Sequence, residues 1–475
     1  MSAPSFLASI WQTIASRTAN SSVRPEAGPA SEVYLKRQAQ QSLNVVVVGA
    51  GLGGLAAAYC LGRTGHKVTV LEQAPVAGEV GAGIQISPNI SRLFWRWGIG
   101  EQLEAQGVRP GAFSFRRYCT GEQVGWSPLG DQMVKDHGAP YYHIHRADLF
   151  VLLHGIAQQH ATIHLNAKVV DIEPSVPSLT LESGSVVKAD LIVGADGVKS
   201  MLRGVVLGKP DEAMPTGDAA YRAIVPVSEF EKDPDLKPFV DKPEMTAWMG
   251  PDRHMMMYKI RPTDMNIVLA HPDHGAKESY TWAGDVHKMR EEFSDFEPRV
   301  QKILSLVPRT LDWRLVDRPP VPQWVHTDGK LTLLGDACHP MLPYRAQGAA
   351  MAIEDAAVLG TLLSHITSRE QLPAFLAAYQ DIRIDRATKA QLSSRLNQRI
   401  FHHPDGPEQL ARDASMREAM IAFQSGNSEA LTHTGNANQW ADRQKNIESF
   451  SYDAEAIAVQ WWEKNGDNVL KASAA

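Results

Sequence analysis

The chain has 475 residues, about three times the ~150 of a common domain, so it can hold one large domain or two to three ordinary ones. Hydrophobic residues make up 44% and charged residues 21%, which supplies a sizeable core and excludes a disordered, collagenous or coiled-coil protein. Lysine plus arginine (47) against aspartate plus glutamate (53) leaves a formal net charge of −6, so no basic excess draws the chain onto nucleic acid or anionic lipid.

Residues 1–42 read as a disordered extension. Ala3 to Arg24 hold Ser, Thr, Ala and two Arg, with no acid before Glu26. A mitochondrial transit peptide has that composition, although two arginines are few for one. Cytoplasmic residence is the expectation, with the mitochondrion as the alternative. Cys60, Cys119 and Cys338 lie far apart, without disulfide or metal-ligand spacing, and suit a reducing compartment. No apolar run reaches the ~18 to 20 residues of a transmembrane segment.

The folded part should begin near Leu43. Asn44-Val45-Val46-Val47-Val48 is a β-branched run that predicts a strand buried on both faces of a parallel sheet. Gly49-Ala50-Gly51-Leu52-Gly53-Gly54 follows, then a run of helix formers from Leu55, stopped by Gly65. Lys67 to Leu71 predicts a second strand, and it ends on Glu72. A G-x-G-x-x-G alone is weak. Set between strand and helix, with an acid about 20 residues on, it predicts a site for an ADP-containing dinucleotide. Gly49 permits the tight turn, Gly51 lets backbone approach a pyrophosphate, and Gly54 lets helix and strand pack closely. The helix N-terminus offers free N–H groups to the phosphates. Glu72 can accept both ribose hydroxyls.

Three later segments matter. Gly81-Ala82-Gly83-Ile84-Gln85-Ile86-Ser87-Pro88-Asn89 is followed by His145-Arg146-Ala147-Asp148-Leu149. Ala189-Asp190-Leu191-Ile192-Val193-Gly194-Ala195-Asp196-Gly197 is an apolar strand running into an Asp-Gly turn. Leu331 to Leu334 runs into Gly335-Asp336-Ala337-Cys338-His339-Pro340, then through Pro343-Tyr344-Arg345-Ala346-Gln347 to an alanine-rich helix starting at Gly348. Asp336 ends a buried strand, where an unpartnered carboxylate costs several kcal/mol, so it calls for a hydroxyl-bearing ligand or a capping role.

These motifs, in this order over residues 43 to 400, resemble the single-component flavoprotein aromatic hydroxylases, in particular the salicylate-hydroxylase-like monooxygenases. The resemblance implies FAD as cofactor. It implies that Glu72 holds the adenosine ribose and that Arg146 reaches the FAD phosphates or ribityl chain. Asp336 would hold the ribityl chain, with Gly348 and Ala349 under the flavin ring; Gly83 and Gln85 join the cofactor set. Asp196 is associated with both FAD and the nicotinamide nucleotide. The implied reaction uses NADH or NADPH and O2 to hydroxylate a phenolic or aromatic-acid substrate through a flavin hydroperoxide, with or without decarboxylation.

Between Asp211 and Pro322 the periodicity changes. Tyr221–Pro226, Met245–Gly250, His254–Ile260 and Asn266–His271 predict antiparallel strands, and Glu101 to Pro140 should add a strand or two. The expected architecture is α/β (α+β overall). A Rossmann-like FAD-binding domain (43–112, 141–211 and 323–400) is interrupted by a substrate-binding β domain (113–140 and 212–322). A helical segment (401–475) follows, with helices over Arg412–Phe423 and Glu448–Trp462, and with Trp461 and Trp462 packing back.

Arg222, next to Tyr221 on a strand of the inserted domain, is the leading candidate to anchor a substrate oxygen anion or to steer the flavin. The alternative is an arginine on that strand's solvent face. Tyr258 and His254 can hydrogen-bond a substrate, although Met255-Met256-Met257 between them suits plain packing. Cys338 has no evident base partner, and His339 suits fixing its loop. His143, His145, His402 and His403 lack surrounding ligands, so no metal is expected. One alternative is a non-hydroxylating FAD-dependent dehydrogenase, reductase or oxidase on the same fold. Another is a non-catalytic redox-sensing or interaction protein that keeps FAD for structure, against which the intact Pro343 to Gly348 loop and helix argue. Expected partners are a small aromatic substrate, O2 and NAD(P)H, without nucleic acid; a homodimer is left open.

Overall fold

The computed structural model describes residues 36–76, 78, 82–275, 281–427 and 435–472. Most of the expected extension over 1–42 therefore lies outside the described residues, as does Gly81. Within it, Ala39 N donates to Thr64 O (2.9 Å) and Gln41 N to Ile366 O (3.2 Å).

The valine run Asn44–Val48 is the central strand of a five-stranded sheet. Leu331–Leu333 and Leu191–Gly194 lie on one side of it, Lys67–Leu71 and Ala161–His164 on the other, all parallel. Val45 to Val48 are 0–7% exposed. Both faces are covered, which is why the run is continuous instead of alternating. Helix Leu52–Arg63 carries the chain from the first strand to the second. Helix Gly348–Leu363 packs against it so closely that a Cβ on Gly360 would press on Cys60.

The second layer is an eight-stranded sheet. Its order is Thr281–Gly284, Thr310–Asp317, Met214–Pro226, Asp264–Pro272, Arg253–Arg261, Met245–Gly250, Ala112–Arg117 and Gln123–Pro128. Every pairing is antiparallel except Met245–Gly250 with Ala112–Arg117. The strand expected over Tyr221–Pro226 starts earlier, at Met214, because residues before a bulge also pair: Met214 with Asp317 and Pro215 with Val316. Gly217 takes φ +88° inside that bulge. Along the strands, Met255 and Met257 join an apolar cluster on one face while Met256 and Tyr258 pack with the cluster on the other, as a period of two requires.

Two features depart from expectation. A small sheet of Val169–Glu173, Ser178–Leu181 and Val186–Lys188 was not anticipated. The single helix expected over Glu448–Trp462 is instead two, Arg443–Phe450 and Ala454–Ala472. Asp453 makes the break, accepting the Ala456 N–H (3.2 Å) as a cap and pairing with Arg96. Trp462 packs back as expected, stacked on Phe375 with centroids 5.4 Å apart. Among the described residues no helix is long and apolar enough to cross a membrane.

Candidate active site

A cavity of about 530 Å³ opens between the two sheets. Its wall brings together Gly51, Gly54, Gly83, Gln85, Arg146, Asp336, Gly348 and Ala349, and opposite them Arg222, His254 and Tyr258. Gly49, Glu72 and Asp196 are not on this wall.

The glycine loop shows why each glycine is there. Gly49 takes φ +102°, and a Cβ on it would collide with the Ala195 carbonyl. A Cβ on Gly54 would collide with the Gly49 carbonyl. One on Gly51 would meet nothing within 4 Å, so this backbone is bare toward the cavity. Helix Leu52–Arg63 begins there with no side-chain cap and no acid in its first turn. Its free N–H groups and positive dipole end suit a diphosphate.

Glu72 has a structural task. Its Oε2 accepts the Ala50 N–H and its Oε1 the Ala74 N–H, each at 2.8 Å, so it ties the glycine loop to the end of the second strand. A carboxylate retains further lone pairs for ribose hydroxyls. Asp196 likewise holds backbone: its Oδ2 accepts the Met201 N–H (2.9 Å) at the start of helix Met201–Leu207. Its neighbours Ala195 and Gly197 are the ones lining the cavity.

Asp336 differs. Its carboxylate accepts no hydrogen bond from any described residue and stands exposed on the cavity wall, within the field of His339 and Arg146. The capping role left open for it is not what it does. Its loop is fixed from behind by Asp355, whose Oδ2 accepts from Gly335 N (3.1 Å) and His339 Nε2 (2.6 Å). Arg383 donates to Asp355 Oδ1 (2.8 Å) and to Glu354 Oε2 (2.6 Å), all three side chains being fully buried. Helix Gly348–Leu363 starts beside Asp336 and is also uncapped, with no acid in its first turn. Two bare helix N-termini, a bare glycine backbone and a lone acceptor carboxylate fit FAD: diphosphate, hydroxylated chain and an electron-poor pyrimidine edge.

The opposite wall comes from the eight-stranded sheet. The Arg222 guanidinium lies over the Trp313 ring, 4.3 Å from its centre, and faces the cavity instead of bulk solvent. Its Nε finds no hydrogen-bond partner among the described residues, and burial lowers its pKa to about 10. Tyr258 is buried against His143 (4.4 Å between centroids), its phenol pushed up to about 12 by burial against the attraction of Arg222. Gln85 accepts from Tyr141 Oη (2.6 Å), and Gly83 N donates to Asn266 Oδ1 (2.8 Å), which pins this segment to the sheet. His254 is buried with its Nδ1 2.8 Å from His402 Nε2.

Trp313, Tyr344 and His402 were not among the expected site residues. Trp313 is detectable only once strand register sets it diagonal to Arg222. His402 lies just past the long helix Leu372–Phe401, in the stretch expected to be a helical segment after the FAD-binding domain.

Comparison with known proteins agrees with this geometry. Residues 42–394 match the family described as FAD binding domain. The chain is 36% identical over 431 residues to the FAD-dependent monooxygenase OpS4 of Beauveria bassiana, covering 88% of this chain and 97% of that one. It is 36% identical to 6-hydroxynicotinate 3-monooxygenase of Bordetella bronchiseptica, over 76% of this chain and 93% of that one. Its fold is similar to that of a salicylate hydroxylase solved with substrate, at a TM-score of 0.71 and 24% identity, covering 88% of this chain and 98% of the other. With the family matched over most of its length, the chain belongs to the FAD-binding-domain flavoproteins and is a FAD-dependent monooxygenase of the aromatic hydroxylase kind.

Proposed function

We propose that the protein hydroxylates the ring of a phenol or hydroxyaryl carboxylate, with NADH or NADPH as reductant and O2 as co-substrate. The observation that carries this reading is Arg222. It is a cavity-facing guanidinium that lies over the Trp313 ring with its Nε unpartnered among the described residues, beside Tyr258 and His254 on a wall that also carries Met256, Val268 and Leu315. A small organic anion is the partner such a group lacks.

We assign residues 43–112, 141–211 and 323–400 to holding FAD, and 113–140 and 212–322 to covering the substrate. The Gly49-Gly51-Gly54 loop would cradle the diphosphate, Glu72 the adenosine ribose, Arg146 and Asp336 the phosphates and ribityl chain. Gly348 and Ala349 would meet the pyrimidine edge, whose charge on reduction a helix N-terminus favours. Gly83 and Gln85 would border the ring, and Asp196 would act by holding the Ala195–Lys199 turn in place. Bound FAD supplies the activation of oxygen once reduced by the nicotinamide nucleotide. The chain's own residues do the rest. Arg222 holds the substrate carboxylate or phenolate through paired donors, Tyr258 orients the ring by hydrogen bonding, and His254 accepts the phenol proton. Met256, Val268 and Leu315 line the same space and exclude water. Carbon dioxide leaves when the ring carbon attacked is the one bearing the carboxylate. The cytoplasm is the compartment that three free cysteines support.

The test is a panel of phenolic acids screened for stimulated NADH and NADPH oxidation by the purified holoenzyme under labelled O2. A product carrying one labelled oxygen supports the reading. Nicotinamide oxidation that no phenol stimulates, with no labelled product, refutes it.

A further inference from the structure

His254 carries a question that the cavity alone does not answer: which of its two nitrogens bears the proton. A neutral imidazole has one donor nitrogen and one acceptor, and the hydrogen bond at one fixes the other. His254 Nδ1 lies 2.8 Å from His402 Nε2, so a single proton is shared between them. If it belongs to His402, His254 points a donor N–H into the cavity. If it belongs to His254 Nδ1, then Nε2 is a lone pair, and no described residue hydrogen-bonds that atom.

The surroundings choose. Asp218 Oδ2 is 3.9 Å from His402 Nδ1, the nitrogen on the far side of the second ring. A carboxylate there draws the His402 proton to Nδ1, which leaves His402 Nε2 as an acceptor and obliges His254 Nδ1 to donate. Asp218 is itself held as an acceptor by Tyr344 Oη and by Gln398 Nε2 (2.6 Å). The fold holds His402 in place: it caps the C-terminus of helix Leu372–Phe401, with its N–H donating to Gln398 O. Tyr344 crosses it edge-on, 5.5 Å between centroids, and also contacts the His254 ring at 5.3 Å. The other charges acting on His402 are Asp252 and Arg412; Arg412 is engaged with Asp413 and the Ile400 carbonyl. Among the described residues the rings of His402, Tyr344 and Phe401 contact His254. The other titratable groups of the same wall are Arg222, Tyr258 and Arg314, the last paired with Asp273, and Arg146, Lys199 and Asp336 line the rest of the cavity. Burial holds both imidazoles below their ordinary pKa, so neither carries the second proton that would blur the choice.

We propose that His402 and Asp218 are positioning residues that lock His254 as the Nδ1–H tautomer and so aim its Nε2 lone pair at the substrate hydroxyl. The role rests on the proposed proton acceptance by His254, but the tautomer itself does not. His254 Nε2 takes the phenol O–H proton and becomes the imidazolium, with its positive charge shared across the Nδ1–H···Nε2 bond to His402. The phenolate keeps the electron pair. No redox change occurs at either ring.

The experiment separates the two layers. Holoenzyme labelled with 15N-histidine is observed by long-range proton–nitrogen correlation, with His254→Gln used to assign the His254 signals. The expected result is an Nδ1–H pattern for His254 in wild type. His402→Leu should lose that pattern, retain FAD, and lower kcat by about tenfold to a hundredfold with KM little changed. His402→Gln, whose amide oxygen accepts from Nδ1, should recover most of the rate. An Nε2–H pattern in wild type overturns the proposal at any rate. A changed pattern in His402→Leu with unchanged kcat overturns the role of His254 as proton acceptor instead. Where His402→Leu does not retain FAD, Asp218→Asn decides: loss of the Nδ1–H pattern supports the proposal and an unaltered spectrum overturns it.

Discussion

Arg222 and Trp313 meet across neighbouring strands, the guanidinium 4.3 Å from the ring centre. Arg222 pairs with Leu311, two residues short of Trp313, so the two side chains are diagonal neighbours on one face of the sheet. The indole presents a face to the guanidinium without neutralising it, which leaves the planar donors for an anion. Arg222→Ala is expected to raise the substrate KM by one to two orders of magnitude, from the loss of a charged contact of about 1.5 to 3 kcal/mol. It should also lower the ratio of hydroxylated product to NAD(P)H consumed, at normal FAD content. Unchanged KM and coupling would remove Arg222 from the substrate wall.

Glu72 predicts a compound effect, because its carboxylate already binds the Ala50 and Ala74 amides. Glu72→Ala should lose those two ties as well as the ribose contact. Both FAD affinity and apoprotein stability should fall, the latter by about 1 to 3 kcal/mol from amides left unpaired. Flavin retention after dialysis and urea unfolding of the apoprotein report the two losses separately. Weaker flavin binding with unaltered unfolding would show that water replaces the carboxylate at the loop.

Asp336 predicts the opposite split. Its carboxylate has no partner among the described residues, so Asp336→Asn should leave the apoprotein equally stable or slightly more so. FAD binding should weaken by about one to two kcal/mol. Isothermal titration of apoprotein with FAD, beside a thermal melt, checks both halves. A destabilised apoprotein would mean that the carboxylate fixes its own loop after all.

The network behind that loop should be intolerant of change. Arg383→Met strips Glu354 and Asp355 of a shared buried guanidinium, which burial makes costly by about 3 to 5 kcal/mol. Urea unfolding measures this directly. Flavin release should accompany it, because Asp355 holds the Gly335 amide.

Acid should weaken the fold through buried neutral histidines. Burial lowers His66 to about 4 and His143 to about 3. Below about pH 6.5 the unfolded chain takes up protons that these folded groups refuse, so stability is intact above that pH and falls as pH drops toward 4. Each such group contributes a slope of up to about 1.4 kcal/mol per pH unit in that window. Melting temperatures followed from pH 7 to pH 4, in wild type and His66→Gln, should show the shallower decline in the variant. Parallel curves would assign the acid sensitivity to other groups.

Much of the nucleotide side was legible because its requirements are local. Gly49, Gly51 and Gly54 occupy one turn, and Asp336 and Gly348 stand at the ends of elements whose apolar runs declare them. The substrate wall was less so. Arg222 and Tyr258 were visible as residues, but what faces them is set by pairing between strands far apart in sequence, such as Arg222 with Val268 and Leu311. The period-two exposure of Met255-Met256-Met257 could not reveal which face was cavity. His402 sat in a helical segment with no motif of its own. The break at Asp453 was hidden because a cap inside an apolar-periodic stretch resembles an ordinary surface acid.

That break has a consequence for how the molecule comes to be made. Residues 448–453 are gripped by four distant partners. Arg386 donates to the Glu448 and Ser449 carbonyls, and Arg92 to the Phe450 carbonyl; Ser451 Oγ bonds His137 Nδ1, and Arg96 pairs with Asp453. On the ribosome those partners are synthesised long before the stretch that satisfies them. The helix Pro88–Arg96 and the long helix Leu372–Phe401 are tied to one another through this one stretch, although Arg386 also pairs with Glu354 and Arg92 with the Pro88 and His137 carbonyls. Contacts of such sequence separation carry a high loop-closure cost and form slowly compared with the helices they join.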